Sequence, residues 1–215
     1  MEEHSGKSEG MAESVFPPWF FDREDVSDDA GFYTVPRFVT HIDDGAIEAV
    51  GLLYEELRID GEVLDLMGSW VSHFRRPPAR LTVLGMNEAE LKANPEARNW
   101  LVHDLNMDPR IPFDDETFDD VVCCVSIDYL IRPVEVFADV ARVLRSGGRL
   151  VCTFSNRCFP TKVIRGWLAS DDATHCEIVS RYFALSGRWR DPVSERRPTP
   201  FGGDPLFAVW STRVR

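Results

Sequence analysis

The sequence contains no apolar run approaching the ~20 residues that a membrane-spanning helix needs. We therefore expect no membrane-spanning segment and no membrane partner. The first fifteen residues, MEEHSGKSEGMAESV, lack both the basic flank and apolar core of a secretory signal and the Arg-rich, acid-poor character of a transit peptide. The expected location is therefore the cytoplasm.

Positive charge is scarce, since the net charge is -12 at pH 7. A general nucleic-acid-binding protein needs a basic face for phosphate contacts, so nucleic acid is not an expected partner. The charge is uneven: residues 1–30 hold nine acids and two bases, whereas residues 141–215 hold thirteen bases and six acids. This asymmetry is typical either of a solvated tail with an ordinary Arg-rich surface or of a face for an anionic substrate.

The five cysteines form no C-x-x-C pair, and three of them lie inside predicted buried strands. We expect reduced packing residues rather than a metal site or a disulfide. The motifs G-x-G-x-x-G and G-x-x-x-x-G-K-[ST] are also absent, which argues against other nucleotide-binding Rossmann-like domains.

The clearest structural pattern runs from Thr117 to Asn156. Val121–Val125 reads as a doubly buried strand, and apolar residues from Val134 to Leu144 recur at helical spacing. We expect Ser146-Gly147-Gly148 to end that helix and a second strand to cover Arg149–Phe154. This is a right-handed crossover unit of a parallel sheet, in which ligands bind outside the carboxyl ends of the strands.

Further strands are predicted at Glu62–Leu66, Leu81–Leu84, Trp100–His103, Gly187–Arg190 and Leu206–Thr212. The expected fold class is α/β, a Rossmann-like doubly wound sheet of about seven strands. The sheet is mostly parallel with an antiparallel C-terminal edge pair, and helices cover both faces.

Helices are predicted between these strands, several with an acidic or proline residue at the start. The predicted segments are Asp43 or Asp44 to Leu57, a turn or two at Trp70–Phe74, Asn87–Ala93, Pro160–Leu168, and Asp171 or Asp172 to Phe183.

The chain divides into three parts. Residues 1–14 are acidic and without period, so we expect a disordered tail. Residues 15–40, here called the N-terminal strap, are rich in aromatic residues and proline. The strap is interpreted either as a lid over the ligand site or as a segment that only completes the core. Residues 41–215 form the expected domain.

Residues 60 to about 156 resemble the class I S-adenosylmethionine-dependent methyltransferases, in particular the type 11 group. The resemblance is most specific in IPFDDETFDDVVCCVSIDYL followed by EVFADVARVLRSGGRLV. It implies methylation of a small molecule by in-line transfer, with S-adenosyl-L-methionine as cofactor.

The resemblance also implies cofactor-binding residues at the strand ends. Asp65 matches the acid that ends the first strand, Asn87 stands where an acid binds the ribose hydroxyls, and Asp104 matches the acid that accepts from the adenine amino group. The remaining implied residues are Met67, Gly68, Ser69, Leu105 and Ser126. The glycine loop departs from the family pattern, because its glycine positions read Met67, Ser69 and Val71.

Positioning alone can supply much of the rate of methyl transfer, so the sequence identifies no obligatory base. Asp128, Tyr129, Asn156 and His73 are candidate catalytic residues because they follow predicted strands. Three of them also have a structural interpretation, as a helix cap for Asp128, a turn brace for Asn156 and a hydrogen-bonded structural residue for His73. Two functions stay open, a small-molecule methyltransferase and a noncatalytic scaffold that has lost the cofactor.

Overall fold

A single sheet of seven strands organises residues 15–215, the part of the chain that our computed structural model describes. The predicted tail, residues 1–14, lies outside this range. The strands are β1 (Glu62–Leu66), β2 (Arg80–Gly85), β3 (Ala97–Val102), β4 (Phe118–Cys124), β5 (Leu144–Phe154), β6 (Val193–Arg197) and β7 (Leu206–Thr212).

The strand order is β3-β2-β1-β4-β5-β7-β6. β1 to β5 pair in parallel, whereas β7 runs antiparallel to both β5 and β6. The predicted fold class is therefore confirmed. Asp65 of β1 lies opposite Val83 of β2 and Val122 of β4, so β1 is the centre of the parallel half.

The helices are α1 (Asp29–Phe32), α2 (Asp44–Glu56), α3 (Glu88–Ala93), α4 (Pro133–Val143), α5 (Arg165–Leu168) and α6 (Asp172–Ser186), with a 3-10 turn at Ile127–Tyr129. Three begin at the polar caps that the sequence indicates, since Asp43, Asn87 and Asp171 each accept from a backbone N–H in the first turn.

Alternating side chains build a core on each face of the sheet. Leu64 and Leu66 of β1 belong to the cluster that packs against α4 and α6, whereas Val63 belongs to the cluster beneath α2. The strap contributes to the first cluster, because Phe16 and Phe20 are buried there. Residues at both ends of the described chain thus share one core.

Two predicted segments near the C-terminus were placed wrongly. Gly187 and Arg188 both have left-handed backbone, so residues 187–190 form only an isolated bridge at Trp189, and the edge strand is β6 instead. The helix expected from Pro160 begins only at Arg165.

The end of α4 also differs from the prediction. The helix ends at Val143, because Leu144 is fully buried, extended and paired with Phe118 as the first residue of β5. Gly147, which the sequence placed in the helix-ending turn, has φ +87° within the strand.

The predicted turn of helix at Trp70–Phe74 is absent, and residues 67–79 form a loop. Three features hold it in irregular backbone. Trp70 Nε1 donates to Val39 O at 3.1 Å, Ser72 Oγ donates to Asp65, and His73 has φ +60°.

All five cysteines are free, and Cys123 and Cys152 are fully buried. Across residues 15–215, none of the helices has the length and apolar character needed to cross a membrane.

Candidate functional site

A cavity of about 320 Å³ opens at the carboxyl ends of β1 to β4, within the size range of small-molecule sites. Loops after these four strands supply one side of its wall: Met67, Gly68, Ser69, Gly85, Met86, Asn87, His103, Asp104, Leu105, Val125 and Ser126. The opposite side comes from the strap and from residues 157–159. The cavity thus lies where parallel-sheet topology places ligands.

Seven of the eight residues expected to bind a cofactor line this cavity. They are Met67, Gly68, Ser69, Asn87, Asp104, Leu105 and Ser126. The exception is Asp65, which lies beneath the loop and accepts a 2.6 Å hydrogen bond from Ser72 Oγ. Burial raises the pKa of Asp65 to about 7. Its position indicates that it braces the loop rather than contacts a ligand.

Close backbone approach shapes the floor of the cavity. Gly68 N donates to Leu84 O at 2.9 Å, and a Cβ on Gly85 would overlap the carbonyl oxygen of Gly68. Only glycine fits there without moving the backbone. Gly85 is not among the predicted site residues, although its place at a strand end directly before Met86-Asn87 was a usable signal.

Side-chain hydrogen bonds hold residues 67–79 as a loop rather than as the predicted turn of helix. Ser69 Oγ donates to Glu90 Oε2 at 2.7 Å, and Asn94 Nδ2 donates to Ser69 O and Ser72 Oγ at 3.0 and 2.8 Å. Glu90, Asn94 and Ser72 are all buried. Buried hydrogen-bond networks whose members all have partners rigidify a site. No motif in the sequence indicates the roles of Glu90 and Asn94.

Asn87 joins the strand end to the strap. Its Oδ1 accepts from Glu90 N at 3.1 Å, which caps α3, and its Nδ2 donates to Tyr33 O and Thr34 O at 2.8 and 3.2 Å. Both donor hydrogens of the amide are therefore directed to strap carbonyls.

Asp104 stands at the end of β3 with one carboxylate oxygen engaged. Its Oδ1 accepts from Asn106 N at 2.8 Å and from Met107 N at 3.3 Å. Its Oδ2 has no hydrogen-bond partner within residues 15–215. The neighbouring Leu105 is buried and offers an apolar surface.

The strap forms a wall of the cavity through Asp29, Tyr33 and Arg37. Asp29 is paired with Arg23 at 2.8 Å and with the fully buried Lys162 at 3.1 Å. Asn106 Nδ2 also donates to Asp29, at 2.9 Å. The strap is thus fixed over the cavity by buried ion pairs as well as by its aromatic residues.

Comparison with known proteins bears on this arrangement. The family model described as "Methyltransferase domain" matches residues 67–152. This match covers less than half of the chain. The match covers the irregular loop after β1, the strand ends and the α4 crossover.

A curated protein is 35% identical to this chain over 106 residues: the ubiquinone/menaquinone biosynthesis C-methyltransferase UbiE of Desulfotalea psychrophila. The match covers 43% of this chain and only 40% of the relative.

Two solved structures share the fold of this chain. One, an S-adenosylmethionine-dependent methyltransferase from Mesorhizobium loti, has a TM-score of 0.54 at 15% identity and covers 79% of this chain and 99% of its own. The other is a SAM-dependent methyltransferase from Aquifex aeolicus, with a TM-score of 0.57 at 15% identity. The matched region covers 79% of this chain and 92% of that structure's chain.

The cavity fits S-adenosylmethionine at two of the three parts of that molecule. Asp104 Oδ2, which has no partner within residues 15–215, can accept from an adenine amino group, and the stretch of wall formed by Gly68 and Gly85 can take the methionyl end. The ribose position is different, because the strap occupies both donors of Asn87. Asn87 can donate to a ribose hydroxyl only in exchange for a strap carbonyl.

The candidate catalytic residues lie apart from one another. Tyr129 lines the cavity, and its hydroxyl accepts from Phe159 N at 2.8 Å. Asp128, Asn156 and His73 are not cavity-lining residues. Burial raises the pKa of Asp128 to about 8, and burial lowers the pKa of His73 to about 4.

Proposed function

We propose that this chain binds S-adenosyl-L-methionine and transfers its methyl group to a small molecule. The supporting observation is the convergence of seven expected cofactor-binding residues on one cavity. The matched family and the name of the curated relative, a C-methyltransferase, agree with this chemistry. A small acceptor is favoured because the strap encloses the cavity opposite the strand ends.

When bound, the cofactor supplies an electrophilic methyl carbon on a sulfonium, and the protein's task is to orient it and exclude water. Asp104 would accept from the adenine amino group while Leu105 packs against the ring. Asn87 would hold the ribose, and the backbone around Gly68 would hold the methionyl end. The acceptor would enter on the side of residues 157–159.

Calorimetric titration with S-adenosylmethionine and S-adenosylhomocysteine tests the proposal. Asp104→Ala removes the acceptor for the adenine amino group, so we expect affinity to fall by about 1–3 kcal/mol, or roughly 5- to 150-fold. Asp114→Ala, in an exposed loop, is the matched control. An unchanged affinity in Asp104→Ala would show that the adenine lies elsewhere.

A noncatalytic scaffold is the second candidate function. It is favoured by the engagement of Asn87 with the strap and by the missing helix after β1. The same titration separates the two functions, since the scaffold predicts no binding of either ligand at millimolar concentration.

A further inference from the structure

His41 lies on the side of the cavity that faces the strand ends, together with Arg37, Arg157 and Phe159. Its ring meets Phe159 edge to face, with centroids 5.3 Å apart and an interplanar angle of 77°. Arg37 packs its guanidinium over the same Phe159 ring at 5.4 Å. An imidazole and a cation therefore border one aromatic surface.

The backbone that follows His41 is held firmly. Ile42 is buried in the core beneath α2. Asp43 caps α2, its N–H donates to Asp204 Oδ2 at 3.1 Å, and its Oδ2 accepts from Asp204 N at 2.7 Å. Asp204 also pairs with Arg157 at 2.8 Å. His41 and Arg157 thus belong to one connected wall.

Several other acidic and basic groups of the cavity already have partners, whereas Asp104 has only its Oδ1 engaged. Asp29 is paired with Arg23 and Lys162, and Glu90 accepts from Arg37 N and Ser69 Oγ. His103 Nε2 contacts Asp108 O, and the Tyr129 hydroxyl accepts from Phe159 N. Burial raises the pKa of the Cys158 thiol.

The ring nitrogens of His41 have no hydrogen-bond partner in the described chain. Three ionisable groups face the ring, namely Arg37, Glu90 and His73. Partial desolvation lowers the pKa of His41, Glu90 opposes this, and Arg37 lowers the pKa further. At neutral pH the ring therefore has a free lone pair available within the cavity.

We propose that His41 is the catalytic base of methyl transfer, accepting the proton of a phenolic or enolic hydroxyl on an acceptor that lies against Phe159. Imidazole suits an acidic hydroxyl of this kind, because a proton acceptor works best when its basicity is close to that of its substrate. The aromatic wall suits a planar acceptor, and Arg37 stabilises the oxyanion that forms.

The step balances in protons and electrons. The lone pair of a His41 nitrogen takes the hydroxyl proton, and the O–H electron pair makes the acceptor oxygen or its conjugated ring carbon nucleophilic. That atom forms the new bond to the methyl carbon while the carbon–sulfur bond breaks with its pair on sulfur. The sulfonium charge is thus lost as His41 becomes imidazolium, which later releases its proton to water.

This inference rests on the proposed function, and its test uses 4-nitrophenol, whose ionisation is visible near 400 nm. Wild-type protein saturated with S-adenosylhomocysteine should bind the probe and lower the pH midpoint of its ionisation by about one unit. His41→Gln should still bind the probe within about threefold of wild type, yet lose the shift. Asp114→Ala, an exposed residue outside the cavity wall, should keep the wild-type midpoint.

Equal midpoints in wild type and His41→Gln, or no binding of 4-nitrophenol to wild type, would overturn the role of His41. Calorimetry with S-adenosylhomocysteine on the same samples separates this failure from that of the proposed function. Cofactor binding with equal midpoints refutes only the assignment of His41, whereas absent cofactor binding refutes the methyltransferase proposal itself.

Discussion

Replacing Asn87 with aspartate tests the competition between the strap and a ribose. The aspartate keeps an oxygen to accept from Glu90 N, so the cap of α3 survives, since Asp and Asn cap about equally well. It has no hydrogen to donate to Tyr33 O or Thr34 O. Asn87→Asp therefore releases the strap locally and restores the acid of the family pattern.

The expected loss of stability follows from the number of hydrogen bonds between Asn87 and the strap. Each lost neutral hydrogen bond contributes about 0.5–1.5 kcal/mol, so the two bonds to the strap predict a loss of about 1–3 kcal/mol in the free energy of unfolding. A charge-assisted bond to a ribose hydroxyl is stronger than a neutral one, and no strap contact must then be broken. We expect S-adenosylhomocysteine to bind tighter by about 1–2 kcal/mol, roughly 5- to 30-fold.

Calorimetry gives the affinity and urea unfolding gives the stability of the same samples. Asn87→Ser is the matched control, because serine also caps the helix but is too short for the strap and carries no charge. It should lose stability as Asn87→Asp does without the gain in affinity that comes from the charge. Weaker ligand binding in Asn87→Asp than in wild type would refute the competition.

Two further predictions concern the floor of the cavity and a buried acid. Gly85→Ala places a methyl group against Gly68 O and should lower the free energy of unfolding, measured in urea, by about 1–3 kcal/mol. Gly31→Ala has open space around the added methyl group and should change this free energy little. Equal effects of the two substitutions would contradict the close approach. Burial raises the pKa of Asp128 from 3.8 to about 8, so the folded state retains a proton that the unfolded state releases. Its stabilising contribution is complete below the unfolded pKa, declines at about 1 kcal/mol per pH unit, and is lost as pH rises through about 8. Asp128→Asn should flatten this decline in urea unfolding measured from pH 5 to pH 8, and parallel curves for the two proteins would count against it.

Local sequence signals predicted the strands and caps well where neighbouring residues decide the conformation. The bounds of β1 and β7 match the prediction, because a short apolar stretch between polar turns determines each strand. Asp43 and Asp171 cap α2 and α6 through bonds that span only three residues. Such contacts are readable from the sequence alone.

The missed features depend on contacts between distant segments. The loop after β1 is held by Asn94, which lies 22 residues from Ser72, and by Trp70, whose partner Val39 O lies 31 residues away. The attachment of Asn87 to the strap spans 53 and 54 residues. No periodicity or motif encodes these pairings. The convergence of the strand ends was therefore predictable, whereas the attachment of Asn87 to the strap was not.

Lys162 connects the two segments that close the cavity, donating to Ser27 O at 2.8 Å across 135 residues of chain. The cavity is therefore complete only when the start of the described chain packs beside the segment that follows β5. Local detachment of residues 22–37 would open one side of the cavity while the seven-stranded sheet stayed intact. Ligand affinity should thus report the docking of this segment more sensitively than global unfolding does.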